Sequence, residues 1–216
     1  WKYIMLKDFE KRVLSSLIII PVALFFIVQG SFFFMFFLSI LFFLTIYEWM
    51  KLSKKNHILK LLGIIFLIFS FYAAFEIRGD DSYSDFLFIL TICIFTDVGG
   101  YTFGKTFKGP KLTKISPKKT YTGAIGSFLL SILAGLIFIK YLFTEIKFFT
   151  DENSILLIIL IISFISQIGD LIISYLKRKA RLKDTGKILP GHGGLLDRID
   201  GMIFVFPTIY IITHIK

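Results

Sequence analysis

Long apolar runs, separated by short polar segments, repeat along the whole chain. The runs are continuous and do not alternate between apolar and polar residues, which favours helices over strands. Most approach the roughly 20 residues that a helix needs to cross a bilayer. Since only helices and closed barrels satisfy the backbone in lipid, the pattern predicts an all-α integral membrane protein. We expect a polytopic helical bundle of about seven transmembrane helices, at 13–28, 31–49, 58–75, 86–104, 121–143, 154–176 and 199–215.

The first two runs are joined at Gln29-Gly30, a pair that predicts a tight turn. They can be two crossings or a single re-entrant hairpin, and the pattern does not decide between these. Lys11 and Arg12 precede the first run, as in a signal peptide, but no small-residue cleavage site follows it. We therefore expect a retained helix.

Composition supports a membrane protein and excludes an ordinary soluble domain. The 216 residues are 56% hydrophobic, include 27 Phe and have a mean hydropathy of +0.78. No repeat or polar linker divides the chain, which predicts one integral membrane domain over 1–216. We expect membrane helices over 1–85, and catalytic helices and loops over 86–216. The lone Cys93 excludes an intrachain disulfide and lies in an apolar run, which favours a buried structural role.

Positive charge is concentrated in the segments that seven crossings would place on one membrane face. Of the 25 Lys and Arg, 21 lie before residue 13 or in 51–60, 105–119 and 177–198. Lys and Arg favour the cytoplasmic side, so we expect a cytoplasmic N-terminus in a multi-pass protein of the plasma (inner) membrane. The net charge of +10 therefore indicates attraction to anionic lipid headgroups and does not indicate nucleic-acid binding.

Three carboxylates lie at or near the cytoplasmic ends of the last two predicted spans. Ionisable residues inside lipid are costly and usually functional, and Asp170 follows a strongly apolar run. Asp197 and Asp200 are three residues apart, so on a helix they would share a face. Hard cations such as Mg²⁺ take carboxylate oxygens, with water and substrate phosphates filling the other positions. Asp170 and Asp200 are thus a candidate metal pair, although Asp170 paired with a nearby Lys and Asp197 as a helix cap are plainer alternatives.

Two loops on the same face carry residues suited to phosphate. In Pro190-Gly191-His192-Gly193-Gly194, the glycines allow backbone N–H groups to approach a ligand, although a plain loop explains them equally well. The loop 104–123 is rich in Lys, with hydroxyls at Ser116 and Thr120, and it contains no Walker A motif. Such a loop suits a polyphosphate, or it simply anchors the protein. Two basic loops near clustered carboxylates favour a site for phosphates and a divalent metal.

The ordered residues between 174 and 200 resemble the signature of the phosphatidate cytidylyltransferase (CDP-diacylglycerol synthase) family. The matching residues are Ser174, Lys177-Arg178, Lys183-Asp184, Pro190, His192-Gly193-Gly194, Asp197-Arg198 and Asp200. Further matches lie upstream, at Asp97, Tyr101, Gly104-Lys105, Ser116-Pro117-Lys118-Lys119-Thr120 and Gln167-Gly169-Asp170.

The resemblance implies an Mg²⁺-dependent nucleotidyltransferase of phospholipid biosynthesis. It would transfer a cytidylyl group from CTP to phosphatidate, giving CDP-diacylglycerol and pyrophosphate at the cytoplasmic face. It implies Asp170 and Asp200 as metal ligands, and leaves a second cation and a homodimer open. The implied catalytic residues are Asp170, Asp197, Asp200 and His192. The implied substrate-binding residues are Lys105, Ser116, Lys118, Lys119, Thr120, Ser174, Lys177, Arg178, Lys183, Gly193, Gly194 and Arg198.

The chain departs from the family pattern at Thr122 and Ile173, where many members have Glu. These changes put substrate preference or activity in question. One alternative is a related lipid-phosphate cytidylyltransferase that takes an ether or isoprenoid substrate. Another is a non-enzymatic polyphosphate- or anion-binding transporter, although such proteins usually show internal repeats.

Overall fold

The computed structural model describes residues 17–54, 56–79, 83–113, 115–141, 146, 152–188 and 193–214. These residues form helices and contain no β-strand, only an isolated bridge between Lys111 and Thr120. The prediction of an all-α protein is confirmed. The helices are α1 (Leu17–Gln29), α2 (Ser31–Leu52), α3 (His57–Arg78), α4 (Ser84–Phe107), α5 (Tyr121–Tyr141), α6 (Glu152–Lys179), α7 (Leu196–Ile199) and α8 (Met202–His214).

Five of these helices, α2 to α6, are long and apolar enough to cross a membrane. They correspond to five of the seven predicted spans, and the chain is a multi-pass membrane protein. The described part of α1 and the whole of α8 are shorter apolar helices. At 1.5 Å per residue, the 13 residues of α8 extend about 20 Å, which is less than the roughly 30 Å hydrocarbon core. Pro207 lies inside α8 and removes one of its backbone hydrogen bonds.

A tight turn at Gly30 joins α1 to α2, as the sequence predicts. Gly30 has a φ of 66°, in the region that glycine adopts without a steric penalty. The buried guanidinium of Arg78 donates to the carbonyl oxygens of Ile27 at 3.0 Å and Val28 at 3.1 Å. It thereby satisfies carbonyl groups that the end of α1 leaves without a helical partner. A Cβ on Gly30 would collide with this guanidinium.

Glycines bring α4 and α5 into close contact and set the position of the loop between them. A Cβ on Gly99 would collide with the carbonyl of Gly126, and one on Gly123 would lie 2.7 Å from the carbonyl oxygen of Gly100. The hydroxyl of Ser127 also donates to the carbonyl of Thr96 at 2.7 Å. The basic loop from residue 108 to residue 120 is therefore held against the end of α4.

Two apolar clusters form the interior of the bundle. The larger one packs α1 to α6 and α8 around buried side chains such as Phe34, Phe88 and Ile159. The smaller one comprises Trp49, Leu52, Leu67, Ile173, Leu196 and Ile203. It lies where α2, α3, α6, α7 and α8 meet, beneath the segment that carries Asp197 and Asp200.

Candidate active site

Three carboxylates from separate segments, here called the acidic group, lie close enough for their negative charges to repel one another. Asp97 lies in α4, Asp170 in α6 and Asp200 directly after α7. Asp97 is exposed, Asp170 is half-buried and Asp200 is buried, so the group extends from the surface inward. Burial, together with the negative charges of Asp170 and Asp97, raises the pKa of Asp200 well above its ordinary value. Repulsion of this kind favours a cation or a proton between the side chains.

Two glycines allow α6 and the turn after α7 to touch beside Asp170 and Asp200. A Cβ on Gly169 would lie 2.9 Å from the carbonyl oxygen of Asp200 and would collide with Phe204. A Cβ on Gly201 would collide with the hydroxyl of Ser166. Asp200 also accepts the backbone N–H of Gly201 at 2.9 Å. Backbone contact without intervening side chains thus places the two acids at neighbouring points of the bundle.

Lys119 connects the basic loop to the acidic group. Its ammonium lies 2.5 Å from Oδ2 of Asp170, while Ser174 donates to Oδ1 of Asp170 at 3.2 Å. The loop is folded back on itself, because Leu112 donates to the carbonyl of Lys119 at 2.8 Å and Lys119 donates to the carbonyl of Ser116 at 3.0 Å. The structure therefore brings four predicted residues together: Ser116, Lys119, Asp170 and Ser174.

Asp197 contacts different partners from Asp200, although the two are only three residues apart. Lys177 donates to its Oδ1 at 2.7 Å, and the backbone N–H groups of Thr185 and Gly194 donate to its Oδ2 at 2.8 and 3.0 Å. Burial alone would raise the pKa of Asp197, but the hydrogen bonds from Lys177, Thr185 and Gly194 hold that pKa below its ordinary value. Asp197 thus orients the loop that leads to Asp200.

Glu48 is a site residue that the sequence analysis did not single out. It lies near the end of α2, is fully buried, and accepts hydrogen bonds from Thr185, Leu195 and Leu196. One signal was available, since Glu48 is a carboxylate in a run that is otherwise almost entirely apolar. Its partners lie about 140 residues further along the chain, and no local pattern identifies them.

The predicted cations Arg178, Lys105, Lys118, Lys183 and Arg198 are exposed. Arg178 and Lys179, together with Ile115, Pro117 and Tyr175, line an open groove of about 550 Å³ between the basic loop and the end of α6. The ammonium of Lys105 lies 3.3 Å from the hydroxyl of Tyr101. Three of the exposed cations are close in sequence to residues of the site: Lys118 precedes Lys119, Lys183 lies two residues before Thr185, and Arg198 follows Asp197.

The glycine-rich segment is described only in part. Gly193 has a φ of 88°, and a Cβ on Gly194 would collide with the hydroxyl of Thr185 and lie 2.6 Å from Oε2 of Glu48. Gly194 is therefore packed against protein atoms, and its N–H donates to Asp197. Pro190 and His192 lie outside the described residues, so the role of His192 stays a prediction.

The two departures from the family pattern have different surroundings. Ile173 is fully buried in the smaller apolar cluster. The hydroxyl of Thr122 lies 3.0 Å from that of Thr120 and also donates to the carbonyl of Lys108. Thr122 therefore stabilises the basic loop, and Ile173 packs beneath the site.

The side chains of the predicted metal pair, Asp170 and Asp200, can be compared with the ligands that Mg²⁺ requires. Across the described ranges, no group of three or more His, Cys, Asp and Glu side chains is arranged to hold a metal ion. Asp170 and Asp200 would supply two carboxylates, which is the number that Mg²⁺ commonly takes from protein when substrate phosphates complete its shell. The crowding of negative charge at Asp200 also fits a cation, so the donor set is compatible with Mg²⁺.

Comparison with known proteins identifies related sequences over most of the chain. A model described as the cytidylyltransferase family matches residues 56–216. A phosphatidate cytidylyltransferase from Rickettsia felis is 34% identical over 209 residues, which cover 94% of this chain and 91% of that protein. One of the same name from Rickettsia typhi is 37% identical over 168 residues, or 76% and 73% of the two chains. A third, from Brucella suis, is 34% identical over 152 residues, or 69% and 54%.

Proposed function

The chain belongs to the cytidylyltransferase family, and we propose that it transfers a cytidylyl group from CTP to phosphatidate. The products are CDP-diacylglycerol and pyrophosphate. The observation that carries this proposal is the convergence of Lys119, Asp170 and Asp200, which come from the basic loop, α6 and the turn after α7. Asp200 belongs to the signature residues, and Lys119 and Asp170 are among the upstream matches. The match to named relatives covers most of the chain.

The reaction joins two anions, so its main demand is charge neutralisation with in-line placement. A phosphate oxygen of phosphatidate attacks the α-phosphorus of CTP. The bond from that phosphorus to the oxygen bridging to the β-phosphate breaks, and pyrophosphate leaves. The attacking phosphate is already ionised near neutral pH, so no side chain has to remove its proton.

The acidic group holds the divalent cation in this proposal. Asp170 and Asp200 would each offer a carboxylate to Mg²⁺, and Asp97 would add negative charge from the exposed side. Bound there, Mg²⁺ would neutralise phosphate oxygens and polarise the phosphorus. Asp197 is already occupied by Lys177 and two backbone N–H groups, so it holds the loop in place.

The exposed cations bind the phosphates. Lys118 is exposed in the basic loop, Arg178 at the end of α6 and Lys183 in the loop after α6. A guanidinium such as that of Arg178 can contact two phosphate oxygens at once. Lys119 forms an ion pair with Asp170. Its ammonium group therefore lies beside the proposed metal ligand, where it would stabilise a phosphate bound to the metal. The proposed substrate site is completed by Ser116, Thr120, Lys105, Arg198, Gly193 and Gly194. A homodimer stays a prediction.

A direct assay tests this function. Purified protein in detergent is incubated with radiolabelled CTP, phosphatidate and Mg²⁺, and labelled lipid is extracted and identified as CDP-diacylglycerol. We expect lipid labelling that depends on all three components, with pyrophosphate released in equal amount. Absence of labelled lipid, in protein shown to be folded by its thermal unfolding curve, would refute the proposal.

We also propose seven crossings in the plasma (inner) membrane with the site at the cytoplasmic face. The charge bias supports it, as do the ends of α2, α4 and α6, which carry the site. Cysteines placed at exposed positions 54 and 76 would be tested with a membrane-impermeant maleimide in intact cells, since Cys93 is buried. We expect Glu76→Cys to react directly and Lys54→Cys only after permeabilisation. The reverse pattern would overturn the orientation.

A further inference from the structure

A carboxylate that approaches the site from the N-terminal part of the chain is held in an unusual environment. Glu48 lies in α2, outside residues 56–216 that the family model matches. Its side chain is fully buried beside the apolar cluster of Trp49, Leu196 and their neighbours. A buried charge is costly unless hydrogen bonds satisfy it, so the contacts of Glu48 indicate what it does.

Both oxygens of Glu48 accept hydrogen bonds from the segment that carries Asp197 and Asp200. Oε1 accepts the N–H of Leu195 at 3.1 Å, and Oε2 accepts the N–H of Leu196 at 2.8 Å. Oε2 also accepts the hydroxyl of Thr185 at 2.9 Å. An ionised carboxylate has acceptor sites for all these donors. One side chain therefore ties the loop after α6 to the first residues of α7.

Close approach by two glycines makes room for this contact. A Cβ on Gly186 would collide with Oε1 of Glu48, and a Cβ on Gly194 would lie 2.6 Å from Oε2. The loop backbone is thus folded directly around the carboxylate. The glycines of this segment therefore serve an internal contact, in addition to any contact with substrate phosphate.

The position of Glu48 is itself fixed by its neighbour in α2. Trp49 is buried, packs against Gly63 of α3, and donates to the carbonyl of Lys60 at 3.3 Å. α2 therefore cannot rotate or slide without breaking a packed contact with α3. The contacts of Trp49 therefore fix the position from which the carboxylate of Glu48 holds the loop.

Resting on the proposed function, we propose that Glu48 is a positioning residue for cytidylyl transfer. By holding Leu195 and Leu196, it sets where Asp197 and Asp200 stand relative to Asp170. It touches neither substrate nor the reacting atoms. The N-terminal helices, which carry no other residue of the proposed site, thereby determine whether the acidic group is assembled.

Glu48→Gln tests this proposal because it keeps the shape of the side chain. The amide has one acceptor oxygen, so its NH₂ group must face an N–H or hydroxyl donor in place of an acceptor. We expect kcat to fall about 10- to 100-fold, as for residues that orient metal ligands. Hydrogen exchange should accelerate in peptides covering 185–197, and should stay unchanged in α4 and α5.

The matched control is Thr45→Val, one turn earlier in α2. Thr45 is also fully buried, but its hydroxyl donates only to the carbonyl of Leu41 in the same helix. We expect this variant to keep the parent kcat and the parent exchange in 185–197. A second variant, Thr185→Val, removes one contact to Glu48 from the loop side, and it should accelerate exchange in the same peptides if Glu48→Gln does not fold.

The outcomes separate this proposal from the proposed function. If the parent makes CDP-diacylglycerol, and Glu48→Gln or Thr185→Val leaves both kcat and local exchange within twofold of the parent, the positioning role is wrong. Loss of kcat with accelerated exchange throughout α4 to α6 would also overturn it, because that indicates general unfolding. If the parent makes no such product, the cytidylyl-transfer proposal fails, while exchange in 185–197 still reports whether Glu48 holds the loop.

Discussion

The site contains two kinds of carboxylate, and their surroundings are opposite. Glu48 and Asp197, here called the anchored carboxylates, each accept three hydrogen bonds from described donors, most of them backbone N–H groups. In the acidic group, Asp97 and Asp170 bring negative charge close to the buried Asp200. Asp170 is also paired with Lys119 and accepts the hydroxyl of Ser174. The anchored carboxylates are satisfied by the protein, whereas the negative charge at Asp200 would be neutralised by the cation of the proposed reaction.

This difference teaches which residues serve structure and which serve chemistry. Satisfied buried charges fix one arrangement of the chain, and breaking them leaves a partner uncompensated. Crowded like charges cost stability and are concentrated at functional sites. We therefore expect variants of the anchored carboxylates to lose stability, and variants of the acidic group to lose activity without losing stability.

The largest effect is expected for Asp197→Asn. The change leaves Lys177, which is only 10% exposed, without its carboxylate at 2.7 Å. Breaking a buried pair in this way costs about 3–5 kcal/mol. The free energy of unfolding in detergent, measured by denaturant titration, should fall by that amount. The double variant Lys177→Met with Asp197→Asn should recover part of it, because no charge is then left buried alone. A single variant as stable as the parent would contradict the anchoring role.

Asp200→Asn should have the next largest effect, on activity alone. Removing a preorganised charge from such a site costs about 100- to 1000-fold in kcat, so CTP-dependent pyrophosphate release should become nearly undetectable. The thermal unfolding midpoint should stay the same or rise, because a repelled negative charge has been removed. Glu76→Gln, an exposed carboxylate at the opposite end of α3 from the basic face, is the control and should keep full activity. Normal turnover in Asp200→Asn would exclude Asp200 from the metal site.

Much of this arrangement was predictable from the sequence, because apolar length sets the helices and charge sets the face. The basic loop and the apolar helix ends indicate that Lys119, Asp170 and Asp200 belong to one region, and the structure places their charges within interaction range. The partners of individual residues were not predictable. Asp197 and Asp200 share a short segment, yet they contact different groups, since the fold of the loop after α6 brings Thr185 and Gly194 to Asp197 alone.

Glu48 shows the same limit more clearly. A carboxylate in an apolar run signals a role, but its three donors come from a loop and helix about 140 residues away. Such contacts depend on how α2, α3 and α7 pack around Trp49 and Leu196. Packing of that kind has no signature in a single sequence.

A smaller effect is expected for Lys119→Gln. Lys119 and Asp170 are both partly exposed and lie 2.5 Å apart, so the pair stabilises the fold little. Its loss should act on nucleotide binding and raise the KM for CTP about tenfold, which is the order of one charge-assisted hydrogen bond. Lys140→Gln, at the other end of α5, removes an exposed cation far from the site and should leave KM unchanged. An unchanged KM in Lys119→Gln would remove Lys119 from the phosphate site.

The smallest effect is a pH dependence of the stability that the anchored carboxylate of Asp197 contributes. The pKa of Asp197 is lowered in the folded state, so its contribution to stability is complete above its unfolded pKa of about 3.9. That contribution is lost as pH falls through the folded pKa. The difference in thermal midpoint between the parent and Asp197→Asn should therefore be constant from neutral pH down to about pH 5, and should shrink below about pH 4. A difference that stays the same down to pH 3 would show that Asp197 stabilises the loop by shape and not by charge.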